Sequence, residues 1–212
     1  MWAWAWLAME LAVAHPMSRD RYSLRAALRM DGDRLSALVV LEVPFDVVMA
    51  SLKADVDATD IARVGPDGLP AAEDARRLLD THNASIWRQL GEGLILVANG
   101  APVPGAWGPS DSRFNGKGSV TEGFFMYVIE FRAAEGWSAP ADLDLTLYDA
   151  AWPDVPMSYS AYVEAGRGWA VRSNSAAAAL PARPYDLNDP AFWVDDPALR
   201  VLRVRFQRGE VR

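Results

Sequence analysis

Residues 21–43 read Arg21-Tyr22-Ser23-Leu24-Arg25-Ala26-Ala27-Leu28-Arg29-Met30-Asp31-Gly32-Asp33-Arg34-Leu35-Ser36-Ala37-Leu38-Val39-Val40-Leu41-Glu42-Val43, and this stretch decides the fold class. Residues 21–31 alternate apolar and polar side chains, with some mixing, as a strand does. Asp31-Gly32-Asp33 is a tight-turn signal, because glycine reaches the positive φ that a two-residue hairpin loop needs. Residues 34–43 resume the strand pattern and Pro44 ends it. The stretch therefore predicts a β-hairpin.

Downstream, Phe45–Lys53 reads as one or two helical turns, and Gly65-Pro66-Asp67-Gly68-Leu69-Pro70 as a loop. Residues 71–90 carry the strongest helical pattern. Ala75, Leu78, Leu79, Ile86 and Leu90 recur at three- and four-residue spacing, Glu73 and Asp74 suit the first turn, and Gly91 reads as the stop. Strand patterns then return at 94–98, 124–132, 143–148, 158–164, 169–172 and 199–206, the last read as a sheet edge. Asn99-Gly100 and Gly166–Gly168 read as turns, and 101–119 and 173–190 as long loops. The chain is thus expected to be mainly β: a β-sandwich-like domain with one inserted amphipathic helix at about 71–90.

Composition bounds the function. A chain of 212 residues, 51% hydrophobic and 23% charged, suffices for one well-filled core. A net charge of −7 argues against a nucleic-acid partner. With no cysteine, disulfides, thiolate nucleophiles and Cys-ligated metal sites are excluded.

Upstream of the hairpin, residues 2–14 are almost all apolar, and Ala12-Val13-Ala14 has the small-x-small pattern of a signal cleavage site. Glu10 interrupts the apolar run, and no Lys or Arg precedes Arg19. The segment is shorter than the roughly 20 residues a bilayer span needs. The expectation is a signal peptide or its remnant at 1–14, a single domain at 15–212, and a periplasmic or exported location.

Cleavage after Ala14 makes His15 the first residue, and a terminal histidine offers both its α-amine and its imidazole to one ion. The chain has two histidines, so His82 is the one further imidazole, and Met17 could add a thioether. Pro16 lacks an amide N–H, which removes amide-nitrogen chelation at the second residue. Nitrogen-rich, open geometry suits Cu(II), then Ni(II). A T-shaped set of three nitrogens from His15 and His82 is similar to the histidine brace of lytic polysaccharide monooxygenases and CopC-type copper carriers. His15 with carboxylates is the other arrangement. His82 also reads simply as a boundary residue on the helix.

The order of features resembles a known family. His15-Pro16-Met17, Arg21-Tyr22-Ser23-Leu24, a hairpin and an acidic helical region, then Tyr159, Tyr162 and Gly166-Arg167-Gly168-Trp169, resemble the extracytoplasmic N-terminal part of nickel/cobalt permeases. They are also similar to hydrogenase/urease accessory permeases of the HupE/UreJ type. The likeness covers about 15–171 and lacks the membrane bundle. It implies a metal-linked outer domain beside a permease encoded separately, with no transport of its own.

Other signals are weaker. Asp55, Asp57 and Asp60 lack the glycine and closing glutamate of a calcium loop. The acidic-aromatic stretch 186–196, with Phe192, Trp193, Asp195 and Asp196, reads as a turn-rich core plug. No Gly-x-Ser-x-Gly elbow or phosphate loop is present, so no catalytic residues are assigned. The sequence points to an exported metal-handling or permease-associated binding domain for copper or nickel. The alternative is an envelope interaction domain without metal.

Overall fold

The computed structural model describes residues 22–51, 72–115, 124–155, 157–175 and 200–209. The hairpin forms as read: β1 (Tyr22–Asp31) pairs antiparallel with β2 (Arg34–Val43), from Ser23↔Glu42 to Asp31↔Arg34. Gly32 takes a positive φ at the tip. A short α1 (Phe45–Ser51) follows Pro44, and α2 spans Ala72–Gly93. The strands after it are β3 (Leu94–Ala98), β4 (Ala101–Pro102), β5 (Gly105–Asn115), β6 (Phe124–Ala133), β7 (Asp142–Asp149), β8 (Met157–Ala165), β9 (Trp169–Asn174) and β10 (Val201–Arg208).

These strands make two five-stranded sheets, ordered β5-β6-β2-β1-β8 and β4-β3-β7-β10-β9. Every pairing is antiparallel except β1 with β8. The fold is mainly β, two sheets with one long helix, matching the expected β-sandwich-like domain with an inserted helix.

The sheets face each other through alternate residues. Leu24, Leu28, Met30, Val39, Leu41, Phe125 and Ile129 of the first sheet join Leu94, Leu96, Leu143, Leu145, Leu147, Leu202, Val204 and Phe206 of the second in one core. Leu79, Ile86 and Leu90 of α2 belong to the same core, so the helix fills the space under β5 and β6. A second buried cluster, Val40, Phe124, Met126 and Val128, lies on the opposite face of the first sheet. Burial on both faces explains why the hairpin strands alternate imperfectly.

Three local expectations need correction. Gly91 does not stop the helix, which runs on to Gly93, where Ala151 lies against the glycine and leaves no room for a Cβ. The long-loop reading of 101–119 fails over 105–115. β5 occupies 105–115, and its Gly, Pro and Ser content reflects an edge strand with a bulge between Pro109 and Asp111. The last strand is not an edge: β10 lies between β7 and β9. Its alternation of apolar and basic residues instead marks one face turned to the core and one to solvent. Leu202, Val204 and Phe206 are buried while Arg203 and Arg205 are exposed.

Candidate functional site

At one end of the sandwich β1, β6 and β8 begin and β2, β5 and β7 end. Tyr22 opens β1 beside Met157, the first residue of β8. Val43 closes β2 beside Phe125, and β5 ends at Asn115 opposite Phe124. Asp149 closes β7, and Arg200 precedes β10.

A buried polar cluster ties this loop end together. The Tyr22 hydroxyl donates to Asp149 Oδ2. The Ala151 amide donates to Asp149 Oδ1 at 3.0 Å. Arg200 Nη1 donates to the Tyr22 hydroxyl at 3.0 Å, and its Nη2 donates to the Val155 carbonyl. Trp152 meets the Tyr22 ring edge-on at 5.2 Å. Tyr22 is fully buried and Asp149 is 5% exposed. Tyr22 belongs to the first sheet and Asp149 to the second, so the cluster clasps the two layers.

The electrostatics follow from burial. Removal from water pushes the Asp149 carboxyl above its ordinary range, while the bonds from Tyr22 and Ala151 and the Arg200 charge pull it back. Burial, then the Asp149 charge, pushes the Tyr22 hydroxyl upward. Tyr22 therefore stays protonated as a donor, sandwiched between a guanidinium and a carboxylate. With Tyr22 sealed from solvent, the arrangement holds strands rather than presenting a nucleophile or a general base.

The opposite end is closed by two turns docked on each other. Gly32 N donates to the Arg167 carbonyl at 3.0 Å and Arg167 N to Asp31 Oδ1 at 3.0 Å. The Trp169 indole N–H donates to the Gly32 carbonyl at 2.5 Å, and Arg208 lies over its ring at 5.1 Å. The Gly166–Trp169 motif and the Asp31–Asp33 turn, separate in the sequence reading, are one structural unit.

Of the sequence-selected ligands, His82 lies half-buried on α2 and engages a partner of its own. Its neighbour Asn83 donates from Nδ2 to Ser112 Oγ at 3.1 Å. Among the described residues, no three His, Asp or Glu side chains gather closely enough to hold a metal. His82 is thus the one sequence-selected ligand in the described set. His15, Met17, the Asp55/Asp57/Asp60 cluster and the 186–196 stretch lie outside the described residues. No helix among the described residues is long and apolar enough to cross a membrane.

The sequence reading missed Tyr22, Asp149, Trp152 and Arg200. One signal was present: β7 alternates Leu143, Leu145, Leu147, which places Asp149 on the same inward face. A carboxylate at a core position requires partners. Set against known protein families and curated proteins, the chain matches none.

Proposed function

We propose that this chain is an exported, periplasmic metal-handling or permease-associated binding domain, with His15 as principal ligand and Cu(II) or Ni(II) as the ion. The observation that carries this reading is the sequence Ala12-Val13-Ala14-His15, seven residues before the clasped Tyr22. A free terminal histidine there chelates through two nitrogens, and at roughly 3.3 Å per residue it reaches no more than about 23 Å from Tyr22. The described residues do not supply a ligand set by themselves, so the reading rests on His15, with Met17 and His82 as further candidates. The negative net charge favours a cation, and the family resemblance supplies the partner class, a membrane metal permease encoded separately.

Calorimetric titration of the exported protein with Cu(II) and Ni(II), beside its His15→Ala variant, tests this. The expected result is a single site weakened by about tenfold or more in the variant, since chelation through two nitrogens is lost. Equal affinity in the two proteins contradicts it.

A second reading, an envelope interaction domain without metal, is favoured by one feature. Ile95 and Tyr148, paired across β3 and β7, are 43% and 37% exposed on the outer face of the second sheet. Residues 199–206, read from the sequence as a sheet edge, offer no such surface, because β10 lies between β7 and β9. A protein that stays monomeric and captures no envelope partner contradicts it.

A further inference from the structure

The outer face of the second sheet is laid out in rows that cross its strands. Ile95 of β3 pairs with Tyr148 of β7, and Tyr148 with Val201 of β10. Val97, Thr146 and Arg203 form the next row. Asp144 beside Arg205 forms the third, and Asp142 beside Gln207 the last. One end of the face is therefore apolar and the other charged.

This face is open to solvent. Ile95 and Tyr148 are exposed, whereas Leu147 and Leu202, the next residues along β7 and β10, turn inward and are buried. Asp144 and Arg205 are exposed and hold each other through two hydrogen bonds. Arg172 of β9 donates to Gln207 Oε1 at 2.7 Å, which brings a further cation to the last row. Arg172, Arg203 and Arg205 thus offset Asp142 and Asp144. The face thereby escapes the like-charge repulsion that a net charge of −7 imposes between copies of the chain. Contiguous exposed apolar residues rimmed by polar ones mark an interaction surface.

The order of the rows selects the partner. A two-fold axis parallel to the strands, between β7 and β10, lays each row on the same row of a second copy. Tyr148 then meets Val201 of the second copy, Thr146 meets its Arg203, Asp144 its Arg205, and Asp142 its Gln207 and Arg172. Apolar rests on apolar and carboxylate on cation, in both directions, as a two-fold interface requires. A two-fold axis running across the strands lays the apolar row on the charged rows instead.

We propose that the outer face of the second sheet is a self-association surface, through which two copies of this chain pair about a two-fold axis parallel to β7 and β10. Sheets pack face to face in this way with strands aligned to within about 30°. Four strands about 4.8 Å apart and about 25 Å long cover on the order of 500 Å² on each copy. The pair buries about 1,000 Å², the low end for a specific contact, so a weak dimer with a Kd of about 10–100 µM is expected. The dimer depends neither on His15 nor on a metal ion.

Sedimentation velocity of the intact protein, from about a tenth to about ten times that Kd, tests this. A monomer–dimer equilibrium is expected. Thr146→Arg sets a cation against Arg203 of the second copy and weakens the dimer by about tenfold or more, while Thr146→Asp tightens it by about threefold. A merely structural effect moves both variants in one direction. Tyr148→Asp, in the apolar row, weakens the dimer by about tenfold. Arg132→Glu, on β6 of the first sheet, leaves it unchanged. Thermal midpoints show that each variant is folded. A wild type that stays monomeric throughout overturns the proposal, including one that takes up a different protein through this face. A dimer that Tyr148→Asp and both Thr146 variants leave unchanged, or that the two Thr146 variants shift in the same direction, also overturns it.

Discussion

The two ends of the sandwich are built from different materials. The turn end is made of two glycine-containing turns joined by backbone bonds and by the Asp31 and Trp169 side chains, rimmed by ion pairs such as the exposed Asp33–Arg208 and the part-buried Arg29–Asp31. The loop end is made of side chains far apart in sequence: the buried Tyr22 and Asp149 and the part-buried Arg200. Exposed pairs are screened and individually weak. A buried carboxylate that loses its donors bears a desolvation cost. The lesson is that the tidy end, with its recognisable turns, carries little of the charge-dependent stability, while the irregular end carries most of it.

The comparison breaks or sharpens first at two glycines. A Cβ at Gly93 meets the Ala151 backbone, with Cα at 2.4 Å and N at 2.6 Å, at the loop end. The three atoms nearest to a Cβ at Gly166, at the turn end, belong to the Asp31 side chain, at 2.7–2.8 Å. Backbone cannot step aside as a side chain can. Gly93→Ala is expected to cost about 3 kcal/mol and Gly166→Ala about 1 kcal/mol in urea unfolding. Equal losses remove the asymmetry.

Next comes Tyr22→Phe, which keeps the ring against Trp152 and deletes the donor to Asp149. Its expected cost is about 2 kcal/mol, the range of a hydrogen bond to a charged group. The same measurement shows whether unfolding stays two-state.

A pH series adds the sign. Burial raises the folded-state Asp149 carboxyl above its ordinary 3.8, so over the window above that value the folded state binds more protons than the unfolded state. Stability from this group is therefore full in acid and falls as pH rises through the folded-state value. Asp149→Asn lacks that fall, so its deficit relative to wild type shrinks between pH 4 and pH 7. A deficit that grows with pH means that the Tyr22 and Ala151 bonds outweigh burial.

The smallest effect belongs to the turn end. Asp33→Asn removes an exposed pair with Arg208 and is expected to cost about 0.5 kcal/mol or less. A loss as large as that of Tyr22→Phe reverses the comparison.

How much of this was legible follows the same division. The hairpin at 22–43 and the Asn99-Gly100 turn, with φ of 49° and 83°, are local events written in local residues. So is the core face of α2 at Leu79, Ile86 and Leu90. β5 was not legible, because an edge strand rich in Gly, Pro and Ser gains its identity from pairing with β6 rather than from its own propensity. The loop-end clasp joins residues 127 and 178 positions apart, which no periodicity reveals. His82 was legible as a half-buried helical residue, while the bond from its neighbour Asn83 to Ser112 of β5 was not. His15 was legible as chemistry, and what surrounds it is decided outside the described residues.

The most direct test of the functional account is a Cu(II) titration of the isotope-labelled exported protein, followed through its amide NMR signals. An ion held by His15 broadens the loop end first, at Tyr22, Asp149 and Trp152. It leaves Gly32 and Gly166–Gly168 sharp, about 30 Å away along β1 by its rise of about 3.3 Å per residue. Broadening that begins at the turn end, or none at stoichiometric copper, contradicts a metal site tethered to Tyr22.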